Sequence, residues 1–129
     1  MTSPAARFAF IVLLAIPGLA CPQSESVPSE IKGRWTYQRL SNTFTLSEIK
    51  VAPDRTFAAK LEWWTANLTC SIRGDPVSGK VTDTGITWDY VTKPPCNQAY
   101  TVELVRGKSG WEGKATGKSS SVVADIKAE

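Results

Sequence analysis

"TFAAKLEWW", residues 56 to 64, decides the fold. Phe57, Ala59, Leu61 and Trp63 alternate with Ala58, Lys60, Glu62 and Trp64. Successive side chains of a β-strand point to opposite faces, so this spacing builds one apolar face and one largely polar face. A helix would need apolar residues every three or four positions, a period hard to find from Gly33 onward. Similar runs rich in Thr, Val, Ile, Trp and Tyr predict strands near 33–40, 43–51, 69–73, 79–83, 86–92, 99–106, 111–117 and 121–128. The same phase places Trp35, Phe44, Leu46, Trp88, Tyr90, Val102, Leu104 and Trp111 inward.

Turn chemistry separates the runs. Ala52-Pro53-Asp54-Arg55, Asp83-Thr84-Gly85 and Arg106-Gly107-Lys108-Ser109-Gly110 preset bends or tolerate positive φ. Gly74-Asp75-Pro76 and Ser78-Gly79 are read the same way, as bracketing a connection. Short strands joined by short turns predict an all-β fold. The simplest winding is an antiparallel up-and-down meander of about eight strands closing into a small barrel. A barrel of that size is filled by side chains or holds one small ligand. Four inward tryptophans, Trp35, Trp63, Trp88 and Trp111, predict a filled core rather than a cup.

The domain itself is predicted over 33–129. Phe8 to Ile16 is an apolar run after a single positive charge at Arg7, followed by Pro17, Gly18 and Ala20. That is the pattern of a secretory signal over 1–20. The run is too short for a membrane-spanning helix, which needs about 20 apolar residues. "PGLAC", ending at Cys21, resembles the lipobox of bacterial lipoproteins. The resemblance implies lipidation of Cys21 and anchoring in the cell envelope, periplasm or outer membrane. Gly18 stands where that family usually has Leu, and Gly18-Leu19-Ala20 also suits release of a soluble secreted protein. Residues 22 to 30, PQSESVPSE, have no apolar period and complete a flexible tether over 21–32.

The chain has three cysteines. In an oxidising compartment Cys70 and Cys96 are the pair expected to form a disulfide, leaving Cys21 for the lipid. The 27-residue segment so closed contains two adjacent prolines beside Cys96. A structural staple is one reading. The other is a rigid projecting loop, Lys93, Pro94, Pro95, Cys96 and Asn97, ordered in advance for binding. Trp64 is the second candidate contact, since two adjacent strand residues cannot both face inward. Its alternative is a ring covered by the Thr65–Leu68 loop or the tether.

Gly33-x-Trp35 on a first strand, followed by a meander, resembles the calycin superfamily of lipocalins, fatty-acid-binding proteins and avidins. The resemblance implies a barrel in which Trp35 plugs one end of the core. "GRWTYQRLSNTFTL" is similar to the avidins in its order of Gly, basic residue, Trp, Thr, Ser-Asn and Thr. Ser41 matches an avidin ligand contact, but Tyr37 stands where avidins have Asn and Leu61 where they have Tyr, so biotin is not implied.

Other chemistry is sparse. The absence of histidine removes Ser-His-acid triads, Cys-His dyads and the commonest metal ligand. Glu48, Glu62, Asp83, Asp89, Glu103 and Glu112 are available as carboxylate pairs, but alternation places them toward solvent. Nothing in the sequence calls for a cofactor or metal. Basic residues are spread along the domain without a cluster, which gives nucleic acid no footprint. Three functions remain. The first is a non-catalytic envelope binding module that touches an unknown protein or envelope component through loops and outer face. The second is an inhibitor of an extracellular protease or lysozyme. The third is a carrier of a small apolar ligand.

Overall fold

The computed structural model describes residues 27–129. The expected signal segment and the lipidation site at Cys21 lie outside the described residues. Eight strands follow in order: β1 (Ile31–Tyr37), β2 (Leu40–Val51), β3 (Thr56–Trp63), β4 (Ile72–Val81), β5 (Gly85–Val91), β6 (Ala99–Gly107), β7 (Gly110–Gly117) and β8 (Val123–Ala128). Each strand pairs antiparallel with the next, and β8 pairs back to β1. The all-β meander closes into a barrel, so neither terminal strand is left with a free edge.

Every residue that alternation assigned inward is buried, from Trp35 on β1 to Trp111 on β7. Isoleucines 31, 49, 72, 86 and 126 join them. The Phe44 ring lies 5.1 Å from that of Trp63 and 6.4 Å from that of Trp88. Burying each such side chain contributes about 1.5–3 kcal/mol. The Trp88 indole N–H has no hydrogen-bond partner, which costs about 1–3 kcal/mol against that gain.

Two boundaries differ from the sequence expectation. The first strand begins at Ile31 rather than Gly33, because Ile31 is fully buried. Residues of the predicted tether also engage the barrel: the Ile49 N–H donates to the Ser29 carbonyl, and Val27 packs against the core. The second correction concerns 69–73 and 79–83, predicted as separate strands. They are parts of one strand, β4, with Gly74-Asp75-Pro76 and Ser78-Gly79 inside it. Gly74 adopts φ +92° where the register slips, with Leu61 facing Asp75 and Glu62 facing Arg73. It is the extra residue of a β-bulge, a place that favours glycine for the same reason a turn does. Pro76 is tolerated because β4 pairs with β5 only from Gly79 to Val81. Beyond that the two strands diverge and leave a slot of about 710 Å³ in the wall. β2, the longest strand, bends through a second irregularity at Glu48, where φ is +53°.

Gly33 has a packing reason. A Cβ there would lie 2.4 Å from the Lys127 carbonyl oxygen and 2.5 Å from the Ala128 Cβ. β8 closes the barrel by lying directly against this bare backbone.

Candidate functional site

The up-and-down winding sorts the connections between two ends. Residues 38–39, 64–71, 92–98 and 118–122 lie at one end, and 52–55, 82–84 and 108–109 at the other. Both candidate contact regions, Trp64 and Lys93–Asn97, therefore fall at the same end. The Cys70–Cys96 disulfide joins their loops, with a Cα–Cα distance of 5.7 Å. Cys70 was expected to begin a strand. It ends a single 3₁₀ turn, Leu68–Cys70, whose cap is the Asn67 side chain accepting from the Thr69 N–H at 3.1 Å.

The stapled pair is further tied. The Lys93 N–H donates to the Cys70 carbonyl at 3.0 Å, and the Lys93 ammonium pairs with Asp75 of β4. Lys93 thus bridges the divergent strands rather than offering a bare cation. Pro94 and Pro95 are exposed and joined by a cis peptide bond, and Asn97 turns the chain back with φ +47°. Below them Thr92 is buried: its Oγ1 accepts the Gln98 N–H at 2.8 Å. Across the same end, Lys118 donates to Asp89 at 2.7 Å and Thr101 donates to it at 2.8 Å. Those bonds hold the Asp89 carboxyl below its ordinary range and anchor the 118–122 connection.

Trp64 is half-buried. Arg73 of β4 covers part of it, its guanidinium carbon lying 5.2 Å from the ring centroid. The Trp64 carbonyl accepts the Trp35 indole N–H at 2.8 Å. This bond fixes the loop to the first strand and shows which end of the core Trp35 occupies. The residue lies in the half of the barrel that bears the stapled loops. At the opposite end Val27 packs against the core, and the Arg106 guanidinium lies 4.5 Å from the Trp111 ring centroid.

Between the stapled loops the barrel is not filled. The expectation that four indoles leave no room fails at Trp35 and Trp63, which line a mouth cavity of about 300 Å³. Tyr37, Tyr90 and Tyr100 line it too, with Ala115 and Ala124 at positions where larger residues would close it. These small residues of β7 and β8, paired with each other, leave the space that larger side chains would take. Cavities of this size fall at the lower end of the range for small-molecule sites.

The rings form a loose stack. Trp35 and Trp63 are nearly parallel, 3° apart with centroids at 6.3 Å. Tyr90 lies 4.6 Å from Trp63 and 5.3 Å from Tyr100. Burial, reinforced by Tyr100, pushes the Tyr90 phenol far above its usual value. Burial and the neighbouring Tyr37 push Tyr100 up as well. A phenol raised on folding stays neutral while the unfolded chain ionises. Its stabilisation is complete below the ordinary value of 10.0 and is lost as pH rises above it. We expect unfolding free energy to be flat from pH 7 to 9 and to fall beyond 10, by up to about 1.4 kcal/mol per pH unit for each withheld ionisation. Urea melts of wild type and Tyr90→Phe across that range check it, the variant falling less steeply.

Tyr90 and Trp63 were legible as core but not as a site, and Tyr37 and Tyr100 were not assigned inward at all. One signal was present: tyrosines rather than phenylalanines at inward positions mark a part of the interior near water. Ser41, the avidin-like match, hydrogen-bonds Arg34 at 3.2 Å on the outer face and takes no part in the cavity. Leu61 is fully buried core. Glu48, Glu62, Asp83, Asp89, Glu103 and Glu112 are all exposed. The described residues contain no group of three or more His, Cys, Asp or Glu side chains able to hold a metal. Compared with protein-family models, with curated proteins and with solved structures, the chain has no match.

Proposed function

We propose that this protein is a non-catalytic, exported binding module of calycin-like build, which takes a small, largely apolar molecule into the mouth of its barrel. The observation that carries this reading is the mouth cavity of about 300 Å³, walled by five aromatic rings and rimmed by loops that a disulfide holds in place. A pre-ordered rim loses little entropy when a ligand enters. The disulfide is also what an oxidising compartment would produce, in keeping with export and with an envelope lipoprotein anchored through Cys21. The partner at the rim would be a protein or envelope component that delivers or collects the ligand, with Trp64, Pro94, Pro95 and Asn97 as its contacts.

Filling the cavity tests the reading. Ala124→Phe adds a ring where Ala124 lines the space. It should abolish binding of a neutral apolar probe such as naphthalene, followed by chemical-shift changes, while leaving the far-ultraviolet circular dichroism of the barrel intact. Equal binding by wild type and variant would sink the proposal.

One observation favours a second reading, an inhibitor of an extracellular hydrolase: the exposed Pro94-Pro95 tip stands on a disulfide-fixed base. Stoichiometric inhibition of a protease or lysozyme, lost in Pro94→Ala/Pro95→Ala but kept in Ala124→Phe, would select that function instead.

A further inference from the structure

The rings around the mouth cavity restrict what it accepts, and the following rests on the ligand-binding reading above. None of the side chains lining the cavity is acidic or basic; Trp35, Tyr37, Trp63, Tyr90 and Tyr100 dominate it, with Thr65, Asn67, Thr92 and Gln98 supplying polar atoms at the rim. A carboxylate or ammonium entering would lose hydration without meeting a counter-charge, which is costly. Aromatic faces can substitute for a counter-charge toward a quaternary ammonium. Here the inner rings are used by one another: Tyr90 sits between Trp63 and Tyr100, and Trp63 also meets Phe44, so only the end rings, Trp35 and Tyr100, can offer a face, enough for a flat ligand to cover and too few to cage a cation. The ligand is therefore uncharged.

Its shape follows from the same stack. Trp35 and Trp63 lie 3° from parallel and Tyr90 and Tyr100 22°. A flat molecule extends such a lamination, whereas a coiled alkyl chain does not. The cavity volume of about 300 Å³ equals that of about ten waters, each with a share near 30 Å³, which suits one or two fused rings.

Tyr90 and Tyr100 both bring hydroxyls to the stack, and neither is sealed off: among the described residues the Trp88 indole N–H alone is buried without a partner. Tyr90, 5% exposed, is the deeper of the two. Other polar atoms nearby are engaged: the Thr92 hydroxyl with Gln98, the Gln98 amide N–H with the Cys96 carbonyl, and the Tyr37 hydroxyl with Gln38. A hydroxyl open to water gives up that bond when a ligand displaces the water, unless the ligand supplies an acceptor in its place. From lining, planarity and this deep hydroxyl together, we infer that the mouth cavity binds an uncharged, planar mono- or bicyclic compound whose hydrogen-bond acceptor meets the Tyr90 O–H.

Four probes test this by calorimetric and chemical-shift titration: coumarin (planar, neutral, with a carbonyl acceptor), naphthalene (planar, no acceptor), choline and decanoate. Coumarin should bind wild type most tightly. Tyr90→Phe should weaken coumarin about 3- to 10-fold, the worth of one hydrogen bond, and leave naphthalene unchanged. Tighter binding of choline or decanoate would overturn the inference, as would a coumarin affinity indifferent to Tyr90→Phe. In either case naphthalene binding that Ala124→Phe removes would leave the ligand-binding reading standing. If none of the four probes binds, the inference and the reading fall together.

Discussion

Replacing Trp63 by alanine should lower the unfolding free energy by about 3–5 kcal/mol, the cost of removing a large aromatic from a packed core. Trp63 is the ring that joins the two halves of the interior. It faces Phe44 on the filled side at 5.1 Å and Trp35 and Tyr90 on the cavity side at 6.3 and 4.6 Å. Its neighbours cannot collapse into the space, because the cavity above them already lacks atoms to follow. For a domain of this size each kcal/mol is worth about 4–8 °C in Tm, so the melting temperature should drop by at least about 12 °C. Trp88→Ala provides the comparison. Trp88 carries an unpaired indole N–H, and deleting the ring removes that penalty too. Its loss should therefore be smaller than that of Trp63 by about 1 kcal/mol or more. Thermal melts of the two variants side by side check the order, and the opposite order would show that the ring stack does not carry the core.

Removal of the disulfide is the second large effect. Cys70 and Cys96 are 26 residues apart in sequence. Closing a loop of that length stabilises by about 3–4 kcal/mol through the entropy it denies the unfolded chain. Cys70→Ser/Cys96→Ser should lose that amount in a urea melt. The loss should also have a place. β4 and β5 pair through three residue pairs only, Gly79–Trp88 to Val81–Ile86, and above them the wall relies on the bridge, the Lys93–Cys70 backbone bond and the Lys93–Asp75 ion pair. The ion pair is about half exposed and on its own contributes little. Amide exchange in the reduced or substituted protein should therefore accelerate first over 68–76 and 92–98, with β6 to β8 retaining protection. Uniform acceleration across the barrel would mean that the bridge acts on the unfolded chain alone.

The fold was legible in the sequence because burial and alternation are tightly coupled in a closed sheet. Phe57, Ala59, Leu61 and Trp63 show the rule at its clearest: once phase is known, facing follows, and all four are buried. The errors arose where one residue type serves two backbone roles. Gly74 and Pro76 suit a turn as well as a bulged, half-unpaired strand, and only the register with β3 separates the two. The candidate site was less legible. Alternation gives the direction of a side chain, not the volume it leaves behind. Ala115 and Ala124 were too small to draw notice, yet they line the cavity with Trp35 and Trp63, and their small size leaves it room. Trp64 and the Lys93–Asn97 loop were singled out separately, and the barrel's winding brings them to the same rim.

The seam between the first and last strands has a practical reach. Lys32 and Glu129 exchange both backbone hydrogen bonds, at 3.3 and 2.9 Å, so the chain enters and leaves the barrel side by side. That junction lies at the pole remote from the mouth. A support, label or fusion partner coupled at Glu129 would hold the molecule like a cup by its foot, with the barrel mouth at the far end.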